Sequence, residues 1–285
     1  MTNLKIAIQK SGRLNEDSLT LLKECGISIN NGKDQLMAQA SNFPLEVLYL
    51  RNSDIPQYVK DGIADIAIIG DNTEKEKKTG ILNVLELGFS KCRLSIAVPK
   101  NVDFQDISWL KGKKIATSYP YSLKDFLAEN NIEAEIHEIS GSVEIAPNIG
   151  LADAICDLVS TGSTLFKNGL KEVYPIFNSQ AILVANTKLT SEKKALLDQL
   201  IFRIKAVLAS KYNKYILLNA PKASLEEICR LLPGMKSPTI MPLKEKGWVS
   251  LHSVVNENEF WEVIGKLKNA GAEGILIVPI EKMVL

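Results

Sequence analysis

Residues 152–165 read ADAICDLVSTGSTL, and this stretch decides the class of fold. Its first half contains Ile155–Val159, a short apolar run typical of a buried β-strand. A turn rich in hydroxyl groups follows, and the next segment, Leu165–Leu170, favours a helix. A strand that passes through a tight turn into a helix is the repeating unit of α/β folds.

The turn itself consists of Ser160, Thr161, Gly162, Ser163 and Thr164. Hydroxyl groups donate hydrogen bonds to anions, and glycine permits a close backbone approach. A helix N-terminus behind the turn would add free N–H groups. These features favour a sugar-phosphate ligand, although the tetrapeptide alone is also compatible with an ordinary strand-to-helix turn with a hydroxyl cap.

Three carboxylates precede the turn, at Glu144, Asp153 and Asp157. A carboxylate can accept hydrogen bonds from ribose hydroxyls or hold a hydrated magnesium ion. Their presence upstream favours the sugar-phosphate interpretation over the ordinary turn. We therefore expect all three to act with the turn residues in one site.

Strands and helices alternate through the rest of the first part of the chain. Helix-like segments such as Ser53–Asp61 and Ser122–Asn130 separate short apolar or β-rich runs. These runs are Leu4–Gln9, Leu45–Leu50, Ile66–Ile69, Leu94–Pro99, Lys114–Thr117, Ala134–Ile139, Ile155–Val159 and Ala181–Val184. The pattern predicts parallel α/β sheets with ligand sites at the carboxyl ends of the strands.

The predicted strands divide into two lobes. We expect the chain to leave the first lobe at Pro99–Asp103 and to return to it within Asn178–Ala185. A double crossing of this kind is typical of the periplasmic-binding-protein-like fold. The corresponding boundaries are residues 1–98 and 180–212 for lobe I and residues 99–179 for lobe II.

The pattern changes after Ser191. Residues Ser191–Lys211 carry apolar side chains at helical spacing and predict one long helix. A compact β-α-β-β-α-β pattern follows, which predicts a ferredoxin-like (ACT-like) domain at residues 213–285. Its strands are expected at Tyr215–Leu218, Thr239–Leu243, Trp248–Val255 and Gly274–Pro279, and its helices at Leu225–Leu232 and Glu257–Lys268. Ser224 and Asn256 stand at N-cap positions with Glu three residues later, which predicts a capping box at the first helix and an Asn variant of it at the second.

Composition excludes several classes of protein. The chain has 285 residues with 46% hydrophobic content, and no apolar run approaches the roughly 20 residues that span a bilayer, so we expect a cytoplasmic protein without membrane segments. The net charge of +1 argues against nucleic acid as a partner. The four cysteines and two histidines are scattered without metal or triad spacing, which argues against a disulfide, a zinc site or a Ser-His-Asp device.

A polyanionic small substrate needs only local positive charge. The candidates beside predicted strand ends or turns are Lys10, Arg13, Arg51, Lys91 and Arg93. Lys10 and Arg13 stand out because Gly12 lies between them, directly after the strand Leu4–Gln9, so that the backbone and two cations can face one anion.

These motifs resemble the ATP phosphoribosyltransferase family in its long form. The phosphoribosyl-pyrophosphate (PRPP) motif of that family is similar to residues 144–165, and further similar segments follow the family's order over essentially the whole chain. They are Gln9–Leu14, Arg51–Pro56, Ala64–Gly70, Cys92–Ser95, Ile115–Pro120 and Pro279–Met283. One departure concerns the wider PRPP pattern, which has two adjacent acids before the turn. Cys156 replaces the first, so the ribose contact depends on Asp157, with or without Asp153.

The resemblance implies transfer of a phosphoribosyl group from PRPP to N1 of the adenine of ATP, with release of pyrophosphate. It implies that Mg²⁺ is carried with the substrate, with its direct ligands left open. It also implies feedback inhibition by histidine, possible inhibition by AMP, and a homo-oligomer ranging from a dimer to a hexamer built from dimers. The C-terminal domain is then the regulatory one.

The expected roles follow from this chemistry. As pyrophosphate departs, C1 of the ribose gains oxocarbenium character, and Arg51 and Lys10 suit the leaving group. Arg13, Leu14 and Asp71 are expected on the ATP side, with Tyr119 lining the cleft. The expected contacts to histidine are Asn219, Ser250, Leu251, His252 and Ala272.

Two other classes of protein share parts of these features. Solute-binding proteins use the same two-lobed plan, and fold alone does not separate them from an enzyme. A sensor built around the C-terminal domain would need a DNA-binding segment, and we find none in the sequence. The hydroxyl turn favours the enzyme.

Overall fold

The computed structural model describes residues 2–30, 35–232 and 234–284. The chain forms two compact units, Met1–Lys23 with Ile27–Leu197 and Glu24–Gly26 with Asp198–Leu285. The division falls within a helix whose predicted bounds, Ser191–Lys211, are those of the structure. The lobe and domain boundaries given above stay predictions, apart from the first crossing discussed below.

The first lobe of the first unit is built on a six-stranded sheet. Its strands are β1 (Leu4–Gln9), β2 (Met37–Gln39), β3 (Leu45–Leu50), β4 (Ile66–Gly70), β5 (Leu82–Glu86) and β11 (Ala181–Ala185), in the order β2-β3-β1-β4-β11-β5. β1 runs parallel to β3 and β4. Its side chains Leu4, Ile6, Ala7 and Ile8 are fully buried, as expected for a strand covered on both faces.

Three helices accompany this sheet: α1 (Arg13–Glu24), α2 (Ile55–Lys60) and α3 (Asp71–Lys77). Each follows the carboxyl end of a strand, so the residues that begin or precede these helices lie along one edge of the sheet. Pro56 is in the first turn of α2, where its missing N–H is not needed.

The second lobe is built on a five-stranded sheet with the order β10-β6-β9-β7-β8. Its strands are β6 (Cys92–Pro99), β7 (Lys114–Thr117), β8 (Glu135–Glu138), β9 (Ala154–Val159) and β10 (Leu170–Ser179). Its α-helices are α4 (Pro120–Glu129) and α5 (Ser163–Lys167). Apolar clusters cover both faces of β9, since Ala154 and Cys156 join one cluster and Ile155 and Val159 join the other.

Both sheets are mixed, so the prediction of parallel sheets was wrong in part. β11 runs antiparallel to β4 and β5, and β6 runs antiparallel to β9 and β10. The first crossing also lies earlier than Pro99–Asp103, because β6 belongs to the second sheet and the chain therefore leaves the first sheet at residues 87–91. The return occurs at Gln180, inside the predicted range. The antiparallel strands β6 and β11 are the ones that directly follow the two crossings.

Three strands of the first unit, β2, β5 and β10, were not predicted from the sequence. β2 and β5 are short edge strands with many exposed side chains. β10 is an edge strand that contains Pro175 and two register irregularities, and proline is tolerated only at such positions in a sheet. None of the three shows the apolar run or strict alternation that marks a strand in sequence.

The second unit contains the predicted β-α-β-β-α-β domain. After α6 (Ser191–Lys211) the elements are β12 (Asn213–Pro221), α7 (Leu225–Leu231), β13 (Thr239–Pro242), β14 (Trp248–Asn256), α8 (Glu257–Asn269) and β15 (Glu273–Pro279). The antiparallel sheet has the order β13-β14-β12-β15, which is the ferredoxin-like arrangement. Phe260 and Leu267 of α8 pack on one face of this sheet.

The two predicted helix caps behave differently. The Asn256 side chain accepts a hydrogen bond from the Asn258 N–H at 3.0 Å, whereas Ser224 makes no side-chain cap bond. A capping side chain contributes about 1 kcal/mol to helix stability. We therefore expect Asn256→Ala to lower the free energy of unfolding by about 1 kcal/mol and Ser224→Ala to leave it nearly unchanged. Urea denaturation of both variants compares them directly, and equal losses would contradict the assignment of the caps.

Candidate active site

The hydroxyl turn follows β9 at the carboxyl edge of the second sheet. Gly162 has φ +77°, a left-handed conformation that other residues adopt at a cost. The side chains of Ser160, Thr161, Ser163 and Thr164 are exposed, so their hydroxyls face solvent. α5 starts at Ser163, earlier than the predicted Leu165–Leu170, because the left-handed glycine is its N-cap residue.

Asp157 lies on β9 three residues before the turn, and its carboxylate is close to that of Glu144. Burial raises the pKa of Asp157, and the nearby negative charge of Glu144 raises it further, while a hydrogen bond from the Leu158 N–H at 2.7 Å opposes both effects. Glu144 comes from the turn of helix Val143–Ile145, which packs on the same face of β9. A pair of carboxylates that repel each other is prepared to receive a cation or a hydroxyl donor between them.

Asp153 lies at the other end of β9, so placing it with the turn was wrong. Its carboxylate accepts a hydrogen bond from the Lys114 N–H at 2.9 Å, at the start of β7. The six residues of β9 separate it from Ser160, and these seven residue steps correspond to about 23 Å at a rise of ~3.3 Å per residue. Asp153 therefore secures the amino ends of two strands.

Arg93 connects the hydroxyl turn to strand β10. Its guanidinium pairs with the Glu172 carboxylate and also donates to the Ser160 carbonyl at 3.4 Å. Ser95 donates a further hydrogen bond to Glu172 at 2.8 Å. The hydrogen bonds from Arg93 lower the pKa of Glu172. The sequence predicts Arg93 as a cation for the substrate but does not indicate Glu172, because β10 carries no recognisable strand signal.

Two cations lie side by side at the carboxyl edge of the first sheet. Lys10 follows β1 and Arg51 follows β3, and the Lys10 N–H donates to the Leu50 carbonyl at 2.8 Å. Both side chains are exposed. The parallel register of β1 and β3 therefore brings together two charges that are far apart in sequence.

A cavity of about 420 Å³ lies at the two crossings between the lobes. Lys91 and Cys92 line it from the first crossing, Ser179 and Gln180 line it from the second, and Asp71 contributes from the start of α3. Asp71 also pairs with Lys75 at 2.8 Å, and its N–H donates to the Gln180 carbonyl at 2.9 Å.

The residues predicted on the ATP side lie around the two crossings and at the start of α1. Asp71 and Cys92 line the same cavity, and Arg13 Nε lies 3.8 Å from the Asp17 carboxylate, which accepts a hydrogen bond from Ser90 Oγ at 2.8 Å at the first crossing. Burial raises the pKa of the Cys92 thiol, and a hydrogen bond to Ser179 opposes this effect. Burial, then the charge of Asp157 and then that of Cys92 raise the pKa of Tyr119. Tyr119 packs against the apolar cluster that contains Cys156 of β9. Leu14 is half-buried in the first turn of α1, and its carbonyl accepts from Ser18 Oγ at 2.6 Å.

In the second unit, three of the predicted effector residues share one face of the sheet. Asn219 is opposite Ser250 in the pairing of β12 with β14, and His252 is two residues further along β14. His252 Nε2 lies 3.1 Å from Ser250 Oγ, and His252 Nδ1 lies 2.8 Å from the Tyr215 hydroxyl. Sequence reasoning missed Tyr215.

The other two predicted effector residues do not join this face. Leu251 is fully buried and points to the helix side of the sheet, because neighbouring strand residues face opposite ways. Ala272 is buried in the same apolar cluster beneath the helices. Their side chains therefore do not reach the open face on which Asn219, Ser250 and His252 lie, and the contribution of Leu251 and Ala272 to an effector site stays a prediction.

Two further observations bear on the class of protein. Among the residues that the structure describes, no three histidine, cysteine or carboxylate side chains come together in a way that could hold a metal ion. Over the same residues, no helix has both the length and the apolar content needed to cross a membrane.

The fold and the site thus define a two-lobed protein with paired cations at the carboxyl edge of one sheet and a hydroxyl turn at the carboxyl edge of the other. The family model described as ATP phosphoribosyltransferase matches residues 51–206, and the model described as HisG, C-terminal domain, matches residues 209–282. The chain belongs to the ATP phosphoribosyltransferase family. It is an enzyme that acts on ATP and PRPP in the first step of histidine biosynthesis, as the motifs predicted, and its family uses a divalent metal ion.

Individual relatives and solved structures are similar to this chain as well. The ATP phosphoribosyltransferase of Cytophaga hutchinsonii is 61% identical over 283 residues, which cover 99% of each chain. The solved ATP phosphoribosyl transferase (HisG:HisZ) complex from Thermotoga maritima matches with a TM-score of 0.60 and 30% identity, over 71% of this chain and 98% of that chain. Tv2483 bound to L-arginine matches with a TM-score of 0.51 and 12% identity, over 71% and 84% of the two chains, which concerns the fold alone. The predicted periplasmic-binding-protein-like architecture with a C-terminal domain is confirmed.

Proposed function

We propose that the phosphoribosyl transfer takes place between the two lobes, with PRPP bound by the second lobe. The observation that carries this proposal is the position of Asp157 three residues before an exposed hydroxyl turn, with Glu144 on a helical turn that packs on the same face of β9. Asp157 accepts hydrogen bonds from the ribose hydroxyls. Ser160, Thr161, Ser163 and Thr164, with the backbone at Gly162, bind the 5-phosphate through hydroxyl and N–H donors.

Lys10 and Arg51 stabilise the departing pyrophosphate. As the bond from C1 to the pyrophosphate oxygen breaks, negative charge grows on the leaving group, and two adjacent cations lower the energy of that state more than that of bound PRPP. The planar guanidinium of Arg51 can donate two parallel hydrogen bonds to phosphate oxygens. Both cations are exposed at the edge of the first sheet and therefore accessible to a substrate.

Mg²⁺ fits this arrangement as a cation shared with the substrate. Magnesium favours one or two carboxylates together with phosphate oxygens, and Glu144 and Asp157 are such a pair. When bound, the ion supplies positive charge to the pyrophosphate. Glu144 and Asp157 would hold it, and its presence would relieve their mutual repulsion.

ATP is expected beside the crossings, where Asp71 and Cys92 line the cavity and Asp17 connects Arg13 to Ser90, with Tyr119 lining the cleft. Leu14 lies in the first turn of α1, next to Arg13. Adenine N1 carries a free lone pair, so the nucleophile needs no general base. The protein's contribution is then to hold N1 in line with C1 while cations neutralise the leaving group.

The activity is tested by measuring pyrophosphate release after ATP and PRPP are mixed with the protein and Mg²⁺. Release that requires both substrates is expected. A chain that binds PRPP and ATP but releases no pyrophosphate would instead be a binding protein.

The C-terminal domain is proposed to bind histidine on the open face of its sheet, next to Asn219, Ser250 and His252. Histidine then acts as a feedback inhibitor, and this role assigns residues 213–285 to regulation. The resemblance further favours a homo-oligomer between dimer and hexamer, inhibition by AMP, and a place in the cytoplasm.

His252→Ala is expected to leave the uninhibited rate almost unchanged and to raise the histidine concentration for half-inhibition about tenfold, since two hydrogen-bonding nitrogens are lost. Inhibition curves with and without the substitution measure this effect. Glu226→Ala is the control, because Glu226 is exposed on α7, which packs on the opposite face of the sheet from His252. Unchanged inhibition in His252→Ala would remove this face as the effector site.

A further inference from the structure

Helix α3 of the first lobe carries a buried carboxylate that reaches helix α4 of the second lobe. Glu76 is only 6% exposed. Its Oε1 accepts a hydrogen bond from the Tyr121 N–H at 2.9 Å, and its Oε2 accepts from the Ser122 N–H at 2.9 Å and from Ser122 Oγ at 2.7 Å. A single side chain of one lobe thus receives three hydrogen bonds from the other.

This carboxylate acts as a cap for α4 that is supplied from another part of the chain. The first N–H groups of a helix have no partner within the helix, and negative charge is stabilised at that end. Tyr119, the residue before α4, makes no side-chain cap bond of its own. Burying a carboxylate is costly unless hydrogen bonds compensate it, so Glu76 and the start of α4 depend on each other.

The position of this contact links it to the proposed active site. α4 starts directly after Tyr119, and burial raises the pKa of the Tyr119 phenol, with smaller contributions from the charges of Asp157 and Glu76. α3 starts at Asp71, which lines the cavity at the crossings. Glu76 therefore connects α3, which starts at Asp71, to α4, which starts after Tyr119.

We propose that Glu76 is a positioning residue, which clamps the two lobes so that Lys10 and Arg51 of the first face the Asp157 turn of the second. This inference rests on the proposed function for its effect on catalysis, but the clamp itself does not. The relative position of the two lobes matters because a small displacement of catalytic groups lowers the reaction rate by a large factor.

α3 and α4 share a second contact that serves as a control. Lys78 Nζ lies 2.5 Å from Asp125 Oδ2, and both side chains are about half exposed, at 52% and 51%. Exposed ion pairs of this kind contribute little to stability. Asp125→Asn therefore removes a charge from the same interface without disturbing the buried cap.

The clamp is tested by hydrogen–deuterium exchange of the full chain without substrates. In Glu76→Gln one edge of the side chain becomes an N–H₂ donor, which cannot accept from the α4 amides. Exchange of the Tyr121 and Ser122 amides is expected to accelerate at least about tenfold in Glu76→Gln and to stay at the wild-type rate in Asp125→Asn. Glu76→Asp keeps the charge on a shorter side chain and should recover part of the protection.

The catalytic consequence is tested by separating turnover from binding. Because the proposed PRPP contacts lie in the second lobe, Glu76→Gln is expected to lower kcat about tenfold or more while the calorimetric Kd for PRPP with Mg²⁺ changes less than about threefold. Asp125→Asn should keep kcat within about twofold of wild type.

Two results would overturn the proposal. Wild-type amide exchange and wild-type kcat in Glu76→Gln would show that the buried contact positions nothing. A parallel loss of kcat and of PRPP binding sites per chain would show a folding defect instead of a positioning role. If the wild-type chain itself released no pyrophosphate, the proposed function would fail, and the exchange experiment would still decide whether Glu76 clamps the lobes.

Discussion

Asp157→Asn is expected to lower kcat/KM for PRPP at least about tenfold, because a hydrogen bond to a charged group in a partly desolvated site contributes about 1.5–3 kcal/mol. The substitution keeps the size of the side chain and removes its charge. Asparagine also offers only one accepting oxygen to the ribose hydroxyls. Steady-state kinetics at saturating ATP give the ratio directly.

Asp153→Asn is the matched control for this experiment. Both residues belong to the same stretch of chain and undergo the same chemical change, but the Asp153 carboxylate binds the Lys114 N–H at the opposite end of β9. We expect its kcat/KM for PRPP to stay within about twofold of wild type, with a loss of stability of about 1 kcal/mol from the weakened cap of β7. Equal losses of kcat/KM in the two variants would show that the position of the carboxylate along β9 is irrelevant to catalysis.

Arg51→Lys is expected to reduce kcat about tenfold with a smaller change in KM, because lysine keeps the charge but loses the planar pair of donors that fits phosphate oxygens. An interaction that is made mainly in the transition state affects turnover more than ground-state binding. Single-turnover measurements of pyrophosphate release separate the chemical step from product release.

Arg230→Lys controls for the general effect of replacing an exposed arginine. Arg230 lies in α7 of the second unit and is exposed, as Arg51 is. It should have wild-type kcat and KM. A near-normal kcat in Arg51→Lys would contradict a two-donor contact to the leaving group, and a raised KM alone would limit Arg51 to binding.

Much of the fold was predictable because buried strands carry their own signal. β1, β3 and β7 have the bounds that their apolar runs predicted, and α6 ends where its helical spacing ends. β10 could not be predicted in the same way, since an edge strand with Pro175 and register irregularities lacks any regular alternation. Without β10, neither the mixed sheet nor the earlier first crossing follows from the sequence.

The site was predictable where its residues are adjacent in the chain, and less so where they meet only in space. Asp157 and the turn are neighbours, and the structure keeps them together. Asp153 is also close in sequence, but a strand is extended, so the four residue steps from Asp153 to Asp157 span about 13 Å. The ion pair between Arg93 and Glu172 forms because β6 pairs with β10. No local sequence pattern predicts that strand pairing.

The central claim is that the second lobe binds PRPP through Asp157 and the turn, with Lys10 and Arg51 at its pyrophosphate. A crystal structure of the protein with PRPP and Mg²⁺ tests this claim most directly. We predict ribose hydroxyl oxygens within about 2.5–3.0 Å of the Asp157 carboxylate, and pyrophosphate oxygens within about 2.7–3.2 Å of a nitrogen of Arg51 or Lys10. PRPP bound elsewhere, with Asp157 in contact with protein alone, would contradict the account.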